Sequence, residues 1–233
     1  MKTAIITGAS VGIGSAAART FLDDGFTVYN LSRRPCDVAG VNNLACDLAT
    51  PASIDECCEA LKTAIAKSDS VALVHNACQM RKDSALDSDS DSLREVLETN
   101  VVAINSINQY LLGLLPRSSS VLYIGSTLSE KAVAGSFSYV ISKHAVLGMM
   151  RASCQDLMDT GIHTALICPG FTNTEMLRTH LGNDQEVMKA IGAMNSFGRL
   201  VEPEEIANLI HWSHCNPVIN GAVLHANLGQ KES

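Results

Sequence analysis

Thr3-Ala4-Ile5-Ile6-Thr7-Gly8-Ala9-Ser10-Val11-Gly12-Ile13-Gly14 decides the fold of this chain. Residues 3–6 are a short apolar run that reads as a buried strand, and the alanine-rich stretch 15–24 reads as a helix. A glycine turn between a strand and a helix is the context a dinucleotide fingerprint requires. Glycines allow the tight turn and a close backbone approach to a pyrophosphate. The helix start adds free N–H groups and the positive end of its dipole. The spacing is G-x-x-x-G-x-G rather than G-x-G-x-x-G, so a purely structural turn is the plain alternative.

Outward from this turn, apolar strand candidates at 3–7, 27–31, 43–45, 71–75, 121–126, 163–168 and 222–225 alternate with helical patterns. The helices fall near 15–24, 51–67, 89–115, 138–160 and 203–214. Such alternation predicts an α/β fold, a parallel sheet covered by helices on both faces. Right-handed crossovers make it doubly wound, with a ligand at the carboxyl ends of the strands. No repeat or linker interrupts the pattern, so residues 1–233 read as a single domain. The Ser- and Asp-rich segment 84–92 reads as a loop running into a helix N-cap.

The second constellation is Tyr139-Val140-Ile141-Ser142-Lys143. Residues four apart on a helix share one face. An ammonium beside a phenol favours the phenolate and lowers a pKa that starts at about 10. The pair then offers a proton donor or acceptor usable near neutral pH. Ser126 lies thirteen residues upstream of Tyr139, after an apolar strand-like run.

Together these motifs resemble the short-chain dehydrogenase/reductase family, in its short single-domain branch. The T-G-x-x-x-G-I-G turn, Asn76-Ala77, Asn100, Ser126, Tyr139-x-x-x-Lys143 and Pro169-Gly170 occur in the family's order, over nearly the whole chain. The resemblance implies a Rossmann fold with a seven-stranded parallel sheet and an NAD(P)-dependent oxidoreductase. Tyr139 would be the general acid/base, Ser126 the group polarising the substrate oxygen, and Lys143 the group tuning the phenol and bonding the cofactor ribose. Asn100 would interrupt the long helix and complete a proton relay. Gly8, Ser10, Gly12, Ile13 and Gly14 would hold the pyrophosphate, and Asp47-Leu48 the adenine. Asn76-Ala77 would line the site, Pro169-Gly170 would begin the next turn, Thr172 would bond the carboxamide and Thr174 a phosphate. The family's N-N-A-G segment reads His75-Asn76-Ala77-Cys78 here, so a thiol stands in place of a glycine behind the cofactor.

Cofactor choice follows from the end of the second strand. An NAD site places an acidic residue there to bind the ribose hydroxyls. This chain has Ser32-Arg33-Arg34, which suits a ribose 2′-phosphate. NADP(H) is therefore expected ahead of NAD(H). Val11 stands where many NADP-using relatives carry a basic residue, so NAD(H) remains open.

The net charge is −7, which argues against non-specific nucleic-acid binding. No run of 18 apolar residues predicts a membrane span, and the first residues lack the pattern of a signal peptide, so a cytoplasmic location is expected. The eight cysteines contain no C-x-x-C pair and the seven histidines no ligand spacing, so no metal is expected.

The expected activity is reduction of a carbonyl compound to a secondary alcohol, or the reverse. A non-catalytic NADP(H)-binding redox sensor is the alternative. The resemblance places a substrate lid at about 175–197, with Met176, Leu177, Met188, Ile191, Met194 and Phe197 as apolar candidates beside Leu128, Val133 and Phe137. It also implies a homodimer or homotetramer.

Overall fold

The structure is a computed structural model that describes residues 1–231. Its strands are β1 (Lys2–Thr7), β2 (Thr27–Ser32), β3 (Asn42–Ala45), β4 (Ser70–His75), β5 (Ser120–Ile124), β6 (His163–Pro169) and β7 (Ala222–Ala226). They form one seven-stranded sheet in the order β3-β2-β1-β4-β5-β6-β7, and every pairing is parallel. Thr3–Thr7 and all of β5 and β6 are buried, as strands covered on both faces must be. The edge strand β3 is short and largely exposed, which limits unwanted edge pairing. Strand order reverses between β1 and β4, and the crevice beyond their carboxyl ends is where an open α/β sheet binds ligands.

Helices α1 (Gly12–Asp23) and α8 (Pro203–Cys215) cover one face. Phe21, Ile206 and Ile210 pack there with Val28, Leu122 and Ile167. The other face carries α2 (Pro51–Ala66), α4 (Ala103–Leu111) and α5 (Phe137–Asp156). Leu61, Ile107 and Met150 pack there with Ile5, Leu73 and Tyr123. The remaining helices are α3 (Ser90–Leu97), α6 (Glu175–His180) and α7 (Gln185–Gly192). Asp89 caps α3 by accepting from the N–H groups of Asp91 and Ser92, as the loop composition predicts.

Two departures from the sequence pattern position the site. The stretch expected as one helix over 89–115 is α3, a five-residue π-helical segment Glu98–Val102 and then α4. The fifth strand ends at Ile124, not at Ser126. Gly125 follows because an added Cβ would lie 2.8 Å from Ser129 Oγ and 3.0 Å from Leu166 Cδ1. The helix expected to reach 160 stops at Asp156.

Two histidines make the fold sensitive to acid. His75 is buried with Nε2 on Asn108 Oδ1 at 2.8 Å. His214 is buried between Ser120 Oγ (2.8 Å) and Ser70 Oγ (3.2 Å). Burial pushes both imidazoles down to about 4. Above the unfolded value of about 6.5 neither state binds the proton. As pH falls below it, only the unfolded chain gains protons, so each histidine costs about 1.4 kcal/mol per pH unit until about pH 4. The melting temperature should be flat at neutral pH and fall between pH 6.5 and 5. A curve that stays flat to pH 5 would show that neither group is held neutral.

Candidate active site

The glycine turn folds as its spacing requires. Gly8 and Gly12 have φ of +70° and +59°, a region other residues enter only with strain. An added Cβ on Gly14 would meet the Gly8 carbonyl oxygen at 2.4 Å and Asn76 Nδ2 at 2.6 Å. Asn76 spends its side chain on this turn: Nδ2 donates to the Thr7 and Gly8 carbonyls, both at 3.0 Å. It is therefore a brace for the turn, with Thr7 Oγ1 accepting from the backbone N–H of Asn76 and Ala77. Helix α1 begins here without a side-chain cap, since Val11 occupies the N-cap, and its first turn carries no acidic residue. Uncapped N–H groups at an uncompensated dipole end fit an anionic group.

Around this turn, the strand ends enclose a cleft of about 1300 Å³. It is lined by Gly8, Ser10, Gly12 and Ile13, by Ser32, Arg33 and Arg34 beyond β2, and by Asp47 and Leu48 beyond β3. Asn76, Ala77 and Cys78 beyond β4, and Pro169, Gly170, Thr172 and Thr174 at the end of β6, complete that wall. Ser126, Tyr139 and Lys143 line the same cleft. Thr172 Oγ1 donates to the Gly170 carbonyl (3.0 Å), and Thr174 Oγ1 caps α6 by accepting from Leu177 N–H (3.3 Å). Asp47 Oδ1 accepts from Ala49 N–H at 3.1 Å.

Tyr139 and Lys143 lie one turn apart on α5, both buried. Ser126 sits at the head of a short 3₁₀ turn, where its Oγ accepts from Leu128 N–H (3.1 Å). The Ser126 hydroxyl and the Cys78 thiol are nearby side chains that act on the Tyr139 phenol. Lys143 Nζ lies 5.4 Å from the centroid of the Tyr139 ring and donates to the Ile124 carbonyl at 2.7 Å. The sequence argument addresses the neighbouring charge alone, and burial acts in the other direction. Burial pushes the phenol well above its ordinary value, Cys78 adds to that push, and Ser126 opposes it. In this state the ammonium is a buried charge beside the ring and bonds a strand-end carbonyl.

Asn100 lies at the centre of the π-helical segment and is buried. It does not line the cleft; among the sequence-predicted catalytic and cofactor-binding residues only Asn100 and Gly14 are absent from its lining. Asn100 Oδ1 accepts from Gln79 N–H (2.8 Å), and Nδ2 donates to the Gln79 carbonyl (2.9 Å) and Ser142 Oγ (3.0 Å). Ser142 Oγ in turn donates to the Tyr139 carbonyl at 2.8 Å. The helix break thus ties the chain after β4 to the helix that carries Tyr139 and Lys143.

A family model described as enoyl-(acyl carrier protein) reductase matches residues 8–231. The chain belongs to the short-chain dehydrogenase/reductase family. It is 28% identical over 240 residues to the 3-oxoacyl-acyl-carrier-protein reductase FabG of Salmonella typhimurium, covering 98% of this chain and 96% of the relative. It is also 28% identical to a ketoacyl reductase of Streptomyces coelicolor, described as putative, over 90% of this chain and 88% of that one. Among solved structures, a short chain dehydrogenase of Burkholderia cenocepacia in complex with NADP superposes with a TM-score of 0.87 at 26% identity, covering 98% and 97% of the two chains. A single-residue variant of the actinorhodin polyketide ketoreductase with NADPH gives 0.87 at 25% identity, covering 99% and 98%.

As an oxidoreductase of the short-chain dehydrogenase/reductase family, the chain also shows parts of its cleft that sequence reasoning did not reach. The acceptor for Lys143 is a backbone carbonyl, which no side-chain motif announces. Gln79 holds Asn100 through its backbone, again without a residue-type signal. Met80 and Gln230 line the cleft unanticipated, and His180 and Leu181 line it from within the segment expected as the lid. Of the apolar candidates, Leu128, Val133, Met176, Leu177 and Ile191 line it, while Phe137, Met188, Met194 and Phe197 do not.

Proposed function

We propose that this protein is an NADPH-dependent reductase of a small or medium carbonyl compound, with Tyr139 as the proton donor. The observation that carries the reading is convergence: the Ser126–Tyr139 pair and Lys143 line the same cleft as the uncapped start of α1. The pyrophosphate would lie against Ser10–Gly12 and Ile13, the adenine against Asp47 and Leu48, and the 2′-phosphate against Ser32, Arg33 and Arg34. Ala77, Pro169, Gly170 and Thr172 would line the nicotinamide half. When bound, the cofactor supplies the hydride.

The residues of the chain supply the rest. Ser126 Oγ donates a hydrogen bond to the carbonyl oxygen and stabilises its developing charge. The Tyr139 phenol transfers its proton to that oxygen as the alkoxide forms. A buried phenol resists ionising, so the ammonium of Lys143 is needed to offset the cost of the phenolate left behind. Asn100 acts at one remove, fixing α5 through Ser142. The names of the FabG and ketoacyl reductase relatives support a carbonyl substrate, and the NADP- and NADPH-bound neighbours support the nucleotide. Leu128, Val133, Met176, Leu177 and Ile191 give the substrate end an apolar wall, with the segment at about 175–197 as its lid.

A homodimer or homotetramer in the cytoplasm belongs to the same proposal. Val102, Tyr110 and Leu114 are exposed along α4 and its ends. Among the described residues no helix is long and apolar enough to cross a membrane.

The test is NADPH consumption across a panel of ketones and 3-oxoacyl thioesters. Turnover with any of them supports the reductase. Nucleotide binding without turnover on the whole panel would overturn it and favour the non-catalytic sensor.

Cys78 makes a further expectation of this mechanism. Negative charge on its sulfur disfavours the phenolate, so Cys78→Gly should bring the Tyr139 pKa down. The inflection of kcat/KM with pH should then move to lower pH in either direction of the reaction. An unmoved inflection with unchanged cofactor binding would show that Tyr139 is not the titrating group.

A further inference from the structure

The two arginines beyond β2 are not equivalent. Arg33 has no hydrogen bond or ion pair among the described residues, while Arg34 NH1 is 3.4 Å from Glu175 Oε1. Glu175 opens α6 and lines the same cleft as both arginines. Its carboxylate is presented by an anchored root. Thr172 bridges to Val201, Asn173 N–H donates to the Val201 carbonyl at 2.8 Å, and Thr174 caps the helix. That root also leans on the glycine turn, since an added Cβ at Gly12 would lie 3.2 Å from Thr174 Cγ2. A carboxylate fixed there neutralises one of two guanidiniums facing the cleft.

We propose that Glu175 is a specificity-determining residue for the nucleotide: it competes with a ribose 2′-phosphate for Arg34 and so limits the preference for NADP(H) over NAD(H). The proposal rests on the assignment of the 2′-phosphate to Ser32, Arg33 and Arg34. A 2′-phosphate reaching Arg34 must displace the carboxylate, whereas a nucleotide with a free 2′-hydroxyl leaves the pair in place. Both side chains are more than half exposed, so the pair is weak and its effect on binding modest. It nevertheless joins two segments that line the cleft and acts on one ligand class only.

Calorimetric titration with adenosine 2′,5′-bisphosphate and 5′-AMP tests this on the intact protein without turnover. Glu175→Gln should raise the preference for the 2′-phosphorylated ligand by about two- to five-fold, the range of an exposed ion pair. The gain should vanish in an Arg34→Ala background, because a pairwise competition is non-additive. An unchanged preference, or an equal gain without Arg34, overturns the proposal. Arg33→Ala reads the underlying assignment separately. If it weakens both ligands equally while the Arg34-dependent gain persists, the role of Glu175 stands and Arg34 alone meets the phosphate. If Arg33→Ala removes the preference and Glu175→Gln does not change it, only the competition fails. If neither substitution changes it, both fall.

Discussion

Tyr139→Phe is expected to cut turnover by about 10²- to 10⁴-fold, the range of a general acid, while NADPH binds with nearly the same affinity. The substitution removes one oxygen from a ring that stays in place on α5, so it opens no cavity. The ring is buried and stands next to Lys143, so solvent cannot easily replace the missing proton donor. Ser126 remains to polarise the carbonyl, but an aliphatic hydroxyl is a poor acid. Cys78 is another side chain that acts on the phenol, and its thiol is the expected source of any residual turnover. That remainder should disappear in the Tyr139→Phe, Cys78→Ala double variant. Steady-state rates with saturating NADPH, alongside fluorescence titration of NADPH, check both halves. A Tyr139→Phe rate within tenfold of the parent enzyme would remove the phenol from the mechanism.

The residue-type signals in this chain reach as far as side chains with chemistry to declare. The glycine turn could be read because Gly8, Gly12 and Gly14 each answer a backbone constraint that few other residues meet. The sheet could be read because strands buried on both faces are continuous apolar runs. The helix break at Glu98–Val102 left no local pattern in a stretch that carries helical periodicity throughout. Only the family resemblance at Asn100 pointed to it. Its physical cause is long-range: Asn100 satisfies the backbone of Gln79 and the hydroxyl of Ser142 at once. Likewise the i, i+4 spacing placed Tyr139 and Lys143 on one face but could not say which acceptor the ammonium would take. That depended on where β5 ends, and the Ile124 carbonyl sits within 2.7 Å of Nζ. The sign of the phenol's net shift is illegible in the sequence for the same reason. Spacing reports a neighbouring charge, but burial is a property of the whole fold, and here burial is the larger influence.

Lys143→Met separates these two influences. Methionine keeps most of the side-chain volume and removes the charge. Unit charges about 5 Å apart at an effective dielectric of about 20 interact by about 3 kcal/mol, so losing the ammonium should slow turnover roughly a hundredfold. Without the charge, Ser126 alone is left to oppose burial at the phenol, and its pKa rises further. The kcat/KM inflection for alcohol oxidation should therefore move to higher pH, opposite to the shift expected for Cys78→Gly. The variant also leaves the Ile124 carbonyl without its donor, which costs about 1–3 kcal/mol of stability. Loss of packing alone would lower the melting temperature and the rate but would not move the pH profile. NADPH affinity should fall as well, because Lys143 lines the cleft beside the proposed ribose site. If the variant melts earlier yet keeps the parent's inflection and NADPH affinity, Lys143 is a strut for the end of β5 and has no electrostatic part in the proton transfer.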